Sequence, residues 1–138
     1  MLRPVALRPP LLLLALCVLV GCGDSGPSEE EQIRGALSEF GRATGERDYG
    51  ALCERILAPK LVETVEQIGL PCEQALAKGF EDVRDPQLSV GAVTVKDDTA
   101  TAKVRSSAEG QEPSEDTVDL IKVGDAWRIA SLGGEAGP

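Results

Sequence analysis

At Asp85-Pro86 the apolar residues of this chain change their spacing. Before that point they recur every three or four positions; after it they alternate. The first period suits amphipathic helices and the second suits half-buried strands. Helices first and strands second predict an α+β domain, with N-terminal helices packed against one face of an antiparallel sheet of about four strands.

The helical half carries its own punctuation. Ser28 with Glu31 three residues on forms a capping box, and Glu29 and Glu30 suit the positive end of a helix. This acidic cluster reads as a solvated helix start, not a metal site. Ile33, Ala36, Leu37, Phe40 and Ala43 make one apolar stripe, which Gly41 and Gly45 weaken toward its end. Asp48 caps a second helix from Tyr49 to about Leu57, with Leu52, Cys53, Ile56 and Leu57 on one side. Pro59 interrupts it, and Leu61, Val62, Val65 and Ile68 continue the period to a C-cap at Gly69. A third helix starts near Pro71 and carries Cys72, Ala75, Leu76, Gly79, Phe80 and Val83 as far as Asp85-Pro86.

In the second half Leu88 and Val90 share one parity while Val93 and Val95 share the other. The slip at Gly91-Ala92 predicts a β-bulge that bends the strand. Asp97-Asp98 makes a turn, and Thr99 to Ala108 alternates with Ala100, Ala102 and Val104 on one side. Residues 110–114 form a loop. Thr117 to Val123 and Ala126 to Leu132 form a hairpin around Gly124-Asp125. Leu120 and Ile121 are adjacent, so both faces of that strand are partly apolar, and the outer face could be covered by a second copy of the chain.

The start of the chain is of another kind. Arg3 and Arg8 precede an unbroken apolar run from Leu11 to Val20, too short to span a bilayer and of the length of a signal-peptide core. It ends Leu19-Val20-Gly21-Cys22, which resembles the lipobox of bacterial lipoproteins. The resemblance implies cleavage between Gly21 and Cys22 and fatty acylation of Cys22, giving a lipid anchor at the cell membrane facing the extracytoplasmic side. Two or more acyl chains, each CH₂ contributing roughly 0.8 kcal/mol, hold a protein stably. The expected organisation is a leader at 1–21, the lipidated cysteine and a polar tether at 22–28, one domain at 29–132, and a disordered tail at 133–138.

Removal of the leader settles the cysteine arithmetic. Cys17 leaves with it and Cys22 is acylated, so Cys53 and Cys72 remain, both on apolar helical stripes in a disulfide-permissive compartment. They read as a structural disulfide; two buried thiols are the alternative, and no Cys-x-x-Cys motif supports a redox pair. Loss of Arg3 and Arg8 takes the 14 basic residues to 12 against 23 acids, a formal charge of −11. That balance disfavours nucleic acid or a bare anionic membrane as partner. The chain has no histidine, which removes the commonest general base and zinc ligand. No cofactor is expected.

Three stretches resemble the nuclear transport factor 2-like superfamily: the helix around Ile33-Arg34-Gly35-Ala36-Leu37, the entry Arg47-Asp48-Tyr49, and the ending Leu120-Ile121-Lys122-Val123-Gly124-Asp125-Ala126-Trp127-Arg128-Ile129. The resemblance implies a cone in which a curved sheet wraps around helices. One departure is that the small hairpin usual between the second and third helices is missing, and Cys53 to Cys72 spans that region. Members include isomerases and cyclases that place Asp, His or Tyr in the cone. Here Asp82, Asp85 and Tyr49 are the nearest candidates. Asp85 is accounted for as a helix terminator, Asp82 as an exposed helix residue and Tyr49 as first-turn packing. Tyr49, Ala100, Ala102 and Trp127 are the candidate pocket residues. The expected function is therefore a non-catalytic, lipid-anchored accessory domain that binds a small apolar ligand or an envelope protein. The alternatives are an isomerase or cyclase and a structural module that dimerises through the sheet.

Overall fold

The computed structural model describes residues 26–133. The leader, the Gly21-Cys22 junction, the first part of the tether and residues 134–138 lie outside the described residues.

Helix α1 (Glu29–Glu46) begins as the sequence predicts. Ser28 Oγ accepts from the Glu31 amide at 3.2 Å, and the Glu31 carboxylate accepts from the Ser28 amide at 2.7 Å. The helix runs through Gly41 and Gly45, contrary to the expected weakening, and ends where Arg47 turns left-handed at φ 59°. Gly41 has a packing reason: a Cβ there would lie 3.3 Å from Leu88 Cβ, so the missing side chain lets a strand approach the helix closely.

Asp48 caps α2 (Tyr49–Ala51), accepting from the Ala51 amide at 3.0 Å. The chain then widens into a π-helical turn, Leu52–Ile56, closed by the Leu57 amide donating to the Leu52 carbonyl at 2.9 Å. Ala58 must leave helical angles because Pro59 follows it. Leu57 and Ala58 are accordingly extended, and the Ala58 amide donates to the Ile129 carbonyl at 2.8 Å. Helix α3 (Pro59–Glu66) starts on Pro59, which has no amide to satisfy there. The break at Pro59 is thus a new start, not an interruption.

Helix α4 (Cys72–Gly79) is shorter than its stripe suggested. Phe80 closes it, the chain turns through Glu81 and Asp82, Val83 lies past that turn, and Asp85 sits in a bend at φ 44°. Cys53 and Cys72 are joined in a disulfide with their Cα atoms 6.1 Å apart, which ties the π-turn to the start of α4.

The four strands are β1 (Gln87–Lys96), β2 (Thr99–Ser107), β3 (Ser114–Val123) and β4 (Ala126–Ser131), an antiparallel meander in the order β1-β2-β3-β4. The register of β1 on β2 shifts between Val90 and Val93, the bulge expected at Gly91-Ala92. Arg34 of α1 holds that bulge, donating to the Val90 carbonyl at 3.2 Å and the Gly91 carbonyl at 2.8 Å. β3 begins three residues earlier than expected, and a second shift separates Asp119 from Leu120 against β4.

One face of the sheet packs on α1 and the π-turn. Ile33, Leu37, Leu52, Leu57, Leu120 and Ile129 are the largest wholly buried side chains. At one end of the cone Lys122 donates to Glu29 at 2.6 Å, and its ammonium lies 5.7 Å from the centre of the Trp127 ring. The other end, around the second half of α1, is not filled.

Candidate functional site

Strand parity decides what faces the cone. Val118 and Leu120 of β3 are buried, so Asp116 and Ser114, two and four residues before Val118, lie on the same concave face. The pairing of Asp116 with Val104, and of Ser114 with Ser106, agrees. The basic residues of β2, Lys103 and Arg105, alternate to the convex face, where they meet Thr117 at 2.7 Å and Glu115 at 3.2 Å.

The result is a cavity of about 260 Å³ at the open end of the cone. Its apolar wall comes from Leu37, Phe40, Phe80, Leu88, Val104 and Val118. Its polar side carries Ser106, Ser114 and Asp116, with Gln111 and Glu112 of the β2–β3 loop at the rim. The polar side chains form a continuous chain: Ser106 Oγ and Ser114 Oγ are 2.9 Å apart, and Ser114 Oγ donates to Asp116 Oδ2 at 2.8 Å. Asp116 is half-buried. Thr44 also reaches the wall, but its hydroxyl is spent on the Phe40 carbonyl at 2.8 Å.

The residues expected to line a pocket fall elsewhere. Ala100 and Ala102 are buried under the helices, so their small size admits close packing and does not leave room for a ligand. Trp127 is buried at the closed end of the cone; its Nε1 has no protein partner among the described residues. None of these three lines the cavity. Tyr49 lines an adjoining recess of about 290 Å³, together with Asp85, Arg47, Arg84 and Glu109. Its ring stacks on Phe80 with centroids 6.4 Å apart, and Phe80 lines both recess and cavity, as do Thr44, Val83 and Pro86. The Tyr49 hydroxyl is buried without a protein partner. Asp82 is exposed and borders neither space. The structure therefore joins Tyr49 to Asp85 and keeps both from Ala100, Ala102 and Trp127.

Ser114 and Asp116 were missed from the sequence because 110–114 read as loop and the strand as starting at Thr117, whereas Ser106 lay in the strand read as Thr99 to Ala108, on the parity of Val104, and was not singled out. Counting back from Val118 in steps of two would have found Asp116 and Ser114. Among the described residues no cluster of His, Cys, Asp and Glu is arranged to hold a metal ion. No helix among them is long and apolar enough to cross a membrane.

No protein-family model matches the chain, and no curated protein is significantly similar to it in sequence. Solved structures are similar in shape. An NTF-2 like protein of unknown function from Silicibacter pomeroyi is 22% identical, with a TM-score of 0.54 over 72% of this chain and 87% of that one. A SEC-C motif containing protein from Rhodopseudomonas palustris is 14% identical, with a TM-score of 0.51 over 70% and 73%. A de novo designed NTF2 fold protein is also 14% identical, with a TM-score of 0.51 over 80% and 90%. The helices, the four-stranded open sheet and these likenesses together give the chain the α+β cone fold of nuclear transport factor 2-like proteins.

Proposed function

We propose that this chain is a lipid-anchored, extracytoplasmic binding domain that takes a small, mainly apolar ligand into the open end of its cone. The observation that carries the binding part is the cavity itself: an apolar wall with three hydrogen-bonded polar side chains converging on one side. That combination is the usual make-up of a small-molecule site. Its volume, about 260 Å³, is just under the roughly 300–1,000 Å³ of drug-sized ligand sites and suits a smaller molecule. The anchor rests on the Leu19-Val20-Gly21-Cys22 junction, and the compartment on that junction together with the Cys53–Cys72 disulfide.

Partnership through the sheet is the weaker reading. The convex face carries a polar ladder, Lys103 to Thr117, Arg105 to Glu115 and Ser131 to Asp119, with Ile121 half-buried. Apolar surfaces, not ladders of this kind, favour stable self-association. An envelope protein that docked at the cone mouth would compete with the ligand there.

Two experiments test the proposal. A neutral fluorescent apolar probe, N-phenyl-1-naphthylamine, should bind the purified protein saturably. Ser106→Trp, which fills the cavity from a half-buried position, should abolish that binding without lowering the melting temperature; equal binding by the variant would remove the cavity from the reading. Cys22→Ser should stop incorporation of labelled fatty acid and release the protein from membranes, and retained membrane association would remove the anchor.

Asp116 favours one second reading, an isomerase or cyclase in which its carboxylate takes a proton from a bound substrate. A general base must lie within hydrogen-bond reach of that proton. Exchange of solvent deuterium into a small cyclic ketone, lost in Asp116→Asn, would bring that reading forward; no exchange above buffer would set it aside.

A further inference from the structure

The walls of the cavity carry charge of one sign. Asp116 and Glu112 contribute to them, and no lysine or arginine does. Parity is the reason: the basic residues nearest in β2 point to the convex face, where they are engaged by Thr117 and Glu115. Asp116 accepts from Ser114, a neutral donor, and takes part in none of the ion pairs formed among the described residues. A half-buried carboxylate beside apolar surface is most stabilised by a cation that comes with its own apolar body. Phe40 and Phe80 also line the cavity and add apolar surface for the hydrocarbon of such a cation.

We infer that the cavity selects a small organic cation, an aliphatic or arylalkyl amine whose ammonium meets Asp116 while its hydrocarbon lies on Leu37, Phe40, Val104 and Val118. This rests on the binding function proposed above and specifies its ligand class. Ser114 holds Asp116 in place by donating to Oδ2, which leaves Oδ1 for the ammonium; Ser106 in turn fixes Ser114. Glu112 at the rim attracts the cation and is not needed for the bound state. A fatty acid or another anion is rejected, because its carboxylate would enter a site of like charge with no basic residue on its walls.

Three probes with one hydrocarbon body and different heads separate ligand class from binding as such: 4-phenylbutylamine, 4-phenylbutanol and 4-phenylbutyrate, each titrated into the purified protein by calorimetry near neutral pH. The amine should bind about tenfold more tightly than the alcohol, as expected for a hydrogen bond to a charged group, and the acid more weakly than either. Asp116→Asn keeps an acceptor for Ser114 and should bring the amine within about twofold of the alcohol. Glu115→Gln on the convex face should change nothing. Equal binding of all three heads, or preference for the acid, would overturn the cation assignment while leaving the binding function standing. Failure of all three to bind would overturn both. An amine preference that survives Asp116→Asn would overturn the role given to Asp116.

Discussion

Lys122 and Glu29 are 93 residues apart in sequence and 2.6 Å apart in the fold. The pair fastens the first turn of α1 to the inner face of β3, over the ring of Trp127. The hydrogen bond that Lys122 donates to Glu29 holds the Lys122 pKa above the ordinary lysine value, and the Glu29 charge adds to it. A pKa raised by folding gives stability that is complete below the unfolded value, 10.5, and lost as pH rises through the higher folded one. The thermal midpoint of the wild type should therefore fall on alkaline titration, and in Glu29→Gln that alkaline component should shrink. An unchanged profile in the variant would remove this pair as its source.

The disulfide Cys53–Cys72 closes a loop with a sequence separation of 19. Closing a loop of that length stabilises by about 3 kcal/mol in the chain-entropy model. Urea unfolding with and without reductant should show a loss of that order. Digestion without reduction should yield one linked peptide carrying both cysteines, and two freely alkylated thiols in the native protein would contradict the bond.

Ile129 is wholly buried and sits where β4 meets the extended segment at Leu57. Ile129→Ala leaves a hole that neighbours on two elements cannot both fill. It should cost about 2–5 kcal/mol, whereas Ile68→Ala, at a side chain 66% exposed, should stay within about 0.5 kcal/mol. Chemical denaturation of both variants checks the contrast.

Gly133 packs on β3 with no room for a side chain. A Cβ there would lie 2.5 Å from the Thr117 carbonyl oxygen and 2.7 Å from Asp116 Cβ. Gly133→Ala should push the chain end away from the strand, lower stability by about 1–3 kcal/mol, and move the amide resonances of Asp116 and Thr117. Unmoved resonances at those two residues would show that the contact is not tight.

The elements were legible wherever local chemistry decides them. The Ser28–Glu31 box, the Asp48 cap, the phase slip at Gly91-Ala92 and the Gly124-Asp125 turn are short-range signals, and each is where the sequence placed it. The π-turn at Leu52–Ile56 was not legible, because its hydrogen bond is displaced by one residue without altering the apolar stripe. The early end of α4 was hidden for a related reason. Phe80 and Val83 keep helical spacing, yet they lie beyond the end of the helix and line the cavity and the recess. The site itself was the least legible part. Periodicity reports which side chains are hydrophobic, so a polar residue on the concave face looks like loop or surface. Ala100 and Ala102 show the converse, since smallness in a strand signals close packing as readily as open space.

The bulge in β1 has a consequence for how the protein behaves in company. An open sheet has two edges, and each is a template on which a foreign strand can add. Here the free side of β4 is met by the Leu57–Ile129 bridge, and the Ala58 amide takes up the Ile129 carbonyl. On the other side β1 is bent at Gly91-Ala92, and Arg34 occupies the carbonyls of Val90 and Gly91. A strand recruited from a neighbour therefore finds one margin partly occupied and the other kinked, with a guanidinium at the kink. The same arginine that docks the sheet on its helix thus occupies part of the edge on which a foreign strand would add.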